Sequence, residues 1–137
     1  MKDTVQGRLL YISDPEIAEG KWHYYVVMNR NLCEDSLLLL LIATSQIDKA
    51  KRRRKALKQS DSTLVIVDPP FPPFDKKTAF QCWDLLVRDL VSMIKRGNAS
   101  EIRLCPLEEK IPDELLEKLK RGIIESDRVE QKYKEMI

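Results

Sequence analysis

The sequence predicts an α+β fold, mainly β, in which about five short strands come first and two or three helices follow. Three observations carry this. Apolar and β-branched runs of four to eight residues recur up to about residue 88, separated by polar or proline-rich stretches. One run, Leu37 to Thr44, is apolar on both faces, as a strand covered on both sides must be. Beyond residue 88 the apolar spacing changes to three and four, the period of an amphipathic helix. That order describes a small barrel or strongly coiled sheet with a helical C-terminal piece packed on it. No repeat or linker divides the 137 residues, so residues 1–137 are expected to form a single domain, with the barrel over 5–88 and the helical segment over 89–137.

Gly7 to Ile12 opens the sheet, and Asp14-Pro15 and Gly20 mark the loop after it. Trp22 to Asn29 is rich in aromatic and β-branched residues and forms the second strand. Alternation places His23, Tyr25 and Val27 on one face and Tyr24, Val26 and Met28 on the other. After the polar turn RNLCEDS comes Leu37 to Thr44, which length alone leaves open as a buried helix and the hairpin context makes a central strand. Ser62 to Val67 is a fourth strand, stopped by DPPFPPF. The four prolines of that stretch make a rigid, extended loop presenting Phe71 and Phe74. Ala79 to Leu86 reads as a fifth strand, with Phe80, Cys82 and Asp84 alternating against Gln81, Trp83 and Leu85.

Asp89 to Arg96 is a short helix with Leu90, Met93 and Ile94 at helical spacing, and Gly97 is its expected left-handed stop. PDELLEKLKRG begins with Pro112 near the first helical position and Asp113 and Glu114 in the first turn. It closes with Lys118, Lys120 and Arg121 before Gly122, and Leu115, Leu116, Leu119 and Ile123 form its stripe. DRVEQKYKEMI is a last helix or a fraying end.

Composition excludes several classes. A hydrophobic content of 43% and a charged content of 34% describe an ordinary globular chain. The longest apolar run, Leu37 to Ala43, is too short to span a bilayer, and the N-terminal residues show no signal-peptide pattern. Three cysteines at wide spacings and a single histidine predict no disulfide framework, no zinc site and no cofactor, and a cytoplasmic protein with reduced thiols. Cys33 and Cys82 read as packing residues rather than nucleophiles. Glu34 and Asp35 with Asp14 or Glu16 are conceivable paired carboxylates, with nothing in the sequence to fix their geometry. No phosphate-cradling glycine loop or nucleophile elbow is present.

The net charge of +2 hides an asymmetry. Residues 46–59 carry seven Lys or Arg against one Asp, a local +6 that leaves −4 for the remainder. Such a block draws in phosphates, or it is a solvated, flexible connector.

An early glycine in the first strand, a second strand of the form HYYVVMN and an apolar third strand ending in Thr44-Ser45 resemble the PemK/MazF-like family. The basic segment and STLVIV after it fit the same layout. The resemblance covers about residues 5–88 and extends loosely to the PDELLEKLKRGI segment. It implies an SH3-like barrel, a homodimer, and the toxin of a toxin–antitoxin pair with an antitoxin protein as partner. It also implies a metal-independent endoribonuclease acting on single-stranded RNA, in which the ribose 2′-hydroxyl attacks the adjacent phosphate to leave a cyclic phosphate and a free 5′-hydroxyl. That chemistry needs a base, an acid and donors for the charged phosphorane.

Carried over by position, Thr44 and Ser45 match the family's hydroxyl at the end of the third strand and would hold a nonbridging phosphate oxygen. The family's basic residue at the start of the second strand, usually an arginine, is replaced by His23, with Lys21 two residues earlier. Histidine can serve as acid or base near neutrality, but it lacks the permanent charge and the bidentate fork. A mobile loop bearing Arg52, Arg53 and Arg54 would grip the RNA backbone together with Lys21, and Trp22, Phe71 and Phe74 offer stacking faces. Plainer readings stand beside these. Thr44 and Ser45 suit a strand end that bonds its own backbone, and His23 suits a half-buried aromatic. The departure at His23 also admits a barrel that binds nucleic acid, or only another protein, without cutting.

Overall fold

A computed structural model describes residues 5–17, 20–101 and 103–137, with the side chains of 104–109 outside the description. It is an α+β fold on a seven-stranded sheet whose pairings are all antiparallel. The strands are β1 (Arg8–Ser13), β2 (His23–Val27), β3 (Leu37–Thr44), β4 (Leu64–Val67), β5 (Thr78–Gln81), β6 (Leu86–Asp89) and β7 (Arg103–Lys110). The helices are α1 (Ile47–Ala56), α2 (Leu90–Asn98), α3 (Asp113–Glu125) and the short α4 (Gln131–Lys134). The strand order is β4-β5-β3-β2-β1-β7, with β6 beside the first half of β3. Among the described residues β4 and β7 end the order and do not pair with each other, so the sheet is open and a closed barrel is not formed.

β3 is the central strand that its apolar faces predict. Leu39, Leu41 and Ala43 enter a core shared with α3 and the C-terminal residues Val129 and Ile137, whereas Leu38 and Leu40 enter a second core under α2. The strand expected over Ala79–Leu86 is instead two strands. β5 pairs with the end of β3 through Ala43↔Phe80 and Thr44↔Ala79, and β6 pairs with its start through Leu37↔Asp89 to Leu40↔Leu86. Between them the chain leaves β3, since the Cys82 N–H donates to the Thr63 carbonyl at 2.8 Å and the Asp84 N–H to the Gln81 carbonyl at 3.0 Å.

The basic segment is not a mobile loop. Residues 47–56 form α1, anchored by the buried Ala50, with Asp48 in the first turn and Arg53, Arg54 and Lys55 in the last, where they complement the helix dipole. Lysine, arginine and alanine are all good helix formers. The proline stretch does not hold its phenylalanines out to solvent either. Phe71 and Phe74 are partly buried and pack on the α3-side core.

Both glycine stops are misplaced. α2 runs through Gly97, and the left-handed residue after it is Ser100 at φ 60°. α3 runs through Gly122, where a Cβ would stand 2.7 Å from the Cys82 Sγ and 2.8 Å from the Ser62 carbonyl oxygen, so this glycine serves close packing. Ile94, expected on the inner stripe of α2, is exposed, and so is Cys33, which therefore does not pack as expected. The tail does not fray: the Arg30 N–H donates to the Met136 carbonyl at 2.8 Å and Ile137 is buried. β7 lies inside the stretch expected to be helical and adds to the outer edge of β1. No helix among the described residues is long and apolar enough to cross a membrane.

Candidate functional site

The antiparallel pairing of β2 with β3 sets Tyr25 opposite Ile42 and Val27 opposite Leu40. Continued two residues outward, the same register puts His23 opposite Thr44, where side chains on one face approach closely. α1 starts three residues later and lies against β4 and β5, the latter being the strand that pairs with this end of β3. Lys49 and Arg53, one turn apart, share a helix face. Lys21, His23, Thr44, Lys49, Arg53 and Gln81 thereby line one open depression of about 400 Å³. Three of the six are cations and none is a carboxylate, so the depression favours an anion.

His23 is partly buried. Burial, and then the charge of Lys21, lower its pKa, while a hydrogen bond to the Ala43 backbone acts the other way. The shift favours the neutral imidazole, the form that accepts a proton. The Thr44 hydroxyl oxygen accepts the Gln46 N–H at 3.2 Å, which turns the chain into α1 and leaves the hydroxyl hydrogen to donate. Gln81, the last residue of β5, is 3% exposed, and its carboxamide oxygen accepts from the Arg53 guanidinium at 3.4 Å. Gln81 is not among the residues expected at the site: a carboxamide between the apolar Phe80 and Cys82 stands out in the sequence, but nothing there places it beside Arg53.

Of the residues expected at the site, Lys21, His23, Thr44 and Arg53 come together. Ser45 does not join them. It follows Thr44 on the strand end, points to the opposite face, and lines a second depression of about 440 Å³ with Tyr11, Trp22, Tyr24 and Phe74. Arg54 turns away, donating to the Gln59 carbonyl at 3.0 Å and pairing with Asp61 at 3.0 Å. Arg52 is exposed, about 100° round the helix from Arg53, and does not line the depression.

The other candidate groups have structural employment. The Asp14 carboxylate is fully buried and takes two bonds from the Arg96 guanidinium at 2.6 and 3.0 Å, with Glu16 at 3.1 Å from the same arginine. Burial alone would raise the Asp14 pKa, but the Arg96 hydrogen bond, the Glu16 amide and the charges of Arg96 and Arg88 bring it below the usual carboxylate value. Asp35 accepts from the Asn29 amide at 2.9 Å, so it forms no pair with Asp14. Burial pushes the Cys82 thiol up to about 12 and keeps it protonated. Among the described residues no three His, Cys, Asp or Glu side chains gather as a metal site.

No family model matches the chain, and no curated protein matches it.

Proposed function

We propose that the chain is a PemK/MazF-like endoribonuclease toxin that binds single-stranded RNA along the depression at the ends of β2 and β3 and cleaves it there. The observation that supports this best is the convergence of a neutral imidazole, a free hydroxyl hydrogen and three cations on one anion-favouring hollow. His23 accepts the proton of the ribose 2′-hydroxyl. The 2′-oxygen attacks the adjacent phosphorus, the bond to the 5′-oxygen breaks, and that oxygen takes a proton from the solvent to which the hollow is open. Thr44 and Arg53 donate to the nonbridging oxygens, where negative charge grows, and Lys21 and Lys49 hold the flanking backbone. The products are a 2′,3′-cyclic phosphate and a 5′-hydroxyl. Arg53 supplies the fork that the histidine substitution removes from β2.

The same reading takes the coiled sheet, in which one edge of β3 serves both β5 and β6, as an SH3-like barrel in opened form. It places the protein in the cytoplasm as a homodimer, with an antitoxin as its second partner. Binding without cleavage is the second reading, and the single imidazole in place of the family's arginine is what favours it. Incubation of a mixed-sequence single-stranded RNA in EDTA decides between them. Cleavage to cyclic-phosphate ends is expected, with His23→Ala and Thr44→Ala each slowing it at least about 100-fold. RNA bound by wild type and returned intact would leave only the binding module.

A further inference from the structure

The second depression, on the Ser45 face, is built unlike the first. Tyr11 and Trp22 stack with ring centroids 4.7 Å apart and planes 19° apart. Tyr24 packs on Tyr11 at 4.5 Å, and Phe74 meets Tyr24 edge-on at 5.4 Å. Phe74 in turn rests edge-on against the fully buried Phe80 at 6.1 Å. The rings are thus fixed in series from the core outward, yet Tyr11, Trp22, Tyr24 and Phe74 all remain partly exposed around an open hollow.

The rim is polar. Ser45 and Thr78 bring hydroxyls and Asp75 a carboxylate, next to flat π surfaces. The Thr78 hydroxyl already donates to the Lys76 carbonyl at 2.9 Å, but a purely apolar guest would leave Ser45 and Asp75 facing it without partners, whereas a planar heterocycle with hydrogen-bonding edges satisfies rings and rim together. Position narrows the choice further. Thr44 lines both hollows, so only the end of β3 separates the ring site from the cationic one. Successive residues of a strand lie about 3.3 Å apart along it. A chain with its phosphate against Thr44 can therefore turn its adjoining base onto the other face.

We propose that the depression walled by Tyr11, Trp22, Tyr24 and Phe74 is a nucleobase site, which stacks one unpaired base of a single strand whose phosphate lies in the His23–Thr44 hollow. The inference rests on the reading of that hollow as a phosphate site, and does not require that the strand be cut. It also gives the split of Thr44 from Ser45 a use: one faces backbone, the other faces base.

The test uses the full chain and two labelled 2′-O-methyl oligonucleotides, which resist cleavage: one of mixed sequence and one without bases. Affinity is read by anisotropy at low salt, and tryptophan fluorescence is read in parallel. Trp83 is 6% exposed and contributes a constant background. The expected result is that the oligonucleotide with bases binds roughly tenfold more tightly and quenches fluorescence, and that Trp22→Phe abolishes the quenching. Trp22→Ala should weaken the oligonucleotide with bases by a similar factor and leave the abasic one unchanged. If both bind wild type equally and fluorescence does not move, the base site is overturned while the phosphate site stands. If neither binds, both fall. The wild-type comparison of the two oligonucleotides decides the matter even where Trp22→Ala fails to fold.

Discussion

Arg96 and Arg53 each reach from a helix to the end of a strand, and they meet opposite surroundings. Arg96, on α2, is 18% exposed and finds the buried Asp14 just beyond β1, then Glu16, with Glu101 at 3.8 Å. Arg53, on α1, finds only the neutral carboxamide of Gln81, with Lys21 and Lys49 in the same hollow. Among the described residues no carboxylate forms an ion pair with Arg53. One arginine is saturated by its own chain, and the other keeps its charge for something outside it. A guanidinium surrounded by carboxylates holds structure, whereas one grouped with other cations and a hydroxyl is where an anion can come and go.

The largest effect that separates them is on stability. Arg96→Ala leaves the Asp14 carboxylate buried without its cation and should cost about 3 kcal/mol, the low end for breaking a buried pair because Arg96 keeps some exposure. Arg53→Ala should leave the melting temperature almost unmoved. The sign with pH follows from Asp14, which is held below its ordinary value. The pair's contribution is present above about pH 4, where an unfolded aspartate titrates, and is lost as pH falls through the lower folded value. Chemical denaturation between pH 3 and 7 should show that acid limb in wild type and a flattened one in Arg96→Ala.

A single substitution makes the second arginine resemble the first. Gln81→Glu would put a carboxylate where Arg53 now meets a carboxamide. It should weaken RNA binding about tenfold and reduce its salt dependence, since one fewer cation is left for phosphate. Unfolding by denaturant should show the variant as stable as wild type or slightly more so. Unchanged binding would mean that Arg53 does not act at the hollow.

The sequence showed parts of this contrast and hid others for identifiable reasons. β3 was legible because leucines on both faces permit only a doubly covered strand. The helix over 47–56 was not, since seven cations within residues 46–59 mask a buried face that amounts to Ala50. Gly97 and Gly122 carry the signal of a helix stop, but glycine also suits close approach, and only Cys82 and Ser62 beside Gly122 distinguish the two. β7 escaped because Pro106 and its charged neighbours argue against a strand, a penalty that an edge position tolerates. At the site, His23 and Thr44 could be paired from strand order alone. Thr44 and Ser45 are adjacent, and adjacent strand residues face opposite ways, so their division follows from alternation alone. Gln81 was not, because its approach to Arg53 depends on β5 leaving β3 where it does.

The smallest expected effect concerns the pH dependence of cleavage, and its sign distinguishes the two possible roles of His23. Burial and the Lys21 charge lower the pKa of this imidazole below its ordinary 6.5. As a base it works in the neutral form, which at such a pKa already makes up more than about three quarters of the population at pH 7. The cleavage rate should therefore rise by less than about a third between pH 7 and 8, then fall toward the acid side, approaching tenfold per pH unit below the pKa. As an acid His23 would give the mirror image, a rate that declines as pH rises through the same value. A limb that disappears in His23→Ala belongs to the imidazole. In wild type, a plateau above neutrality assigns His23 to the 2′-hydroxyl, and a decline there assigns it to the leaving oxygen.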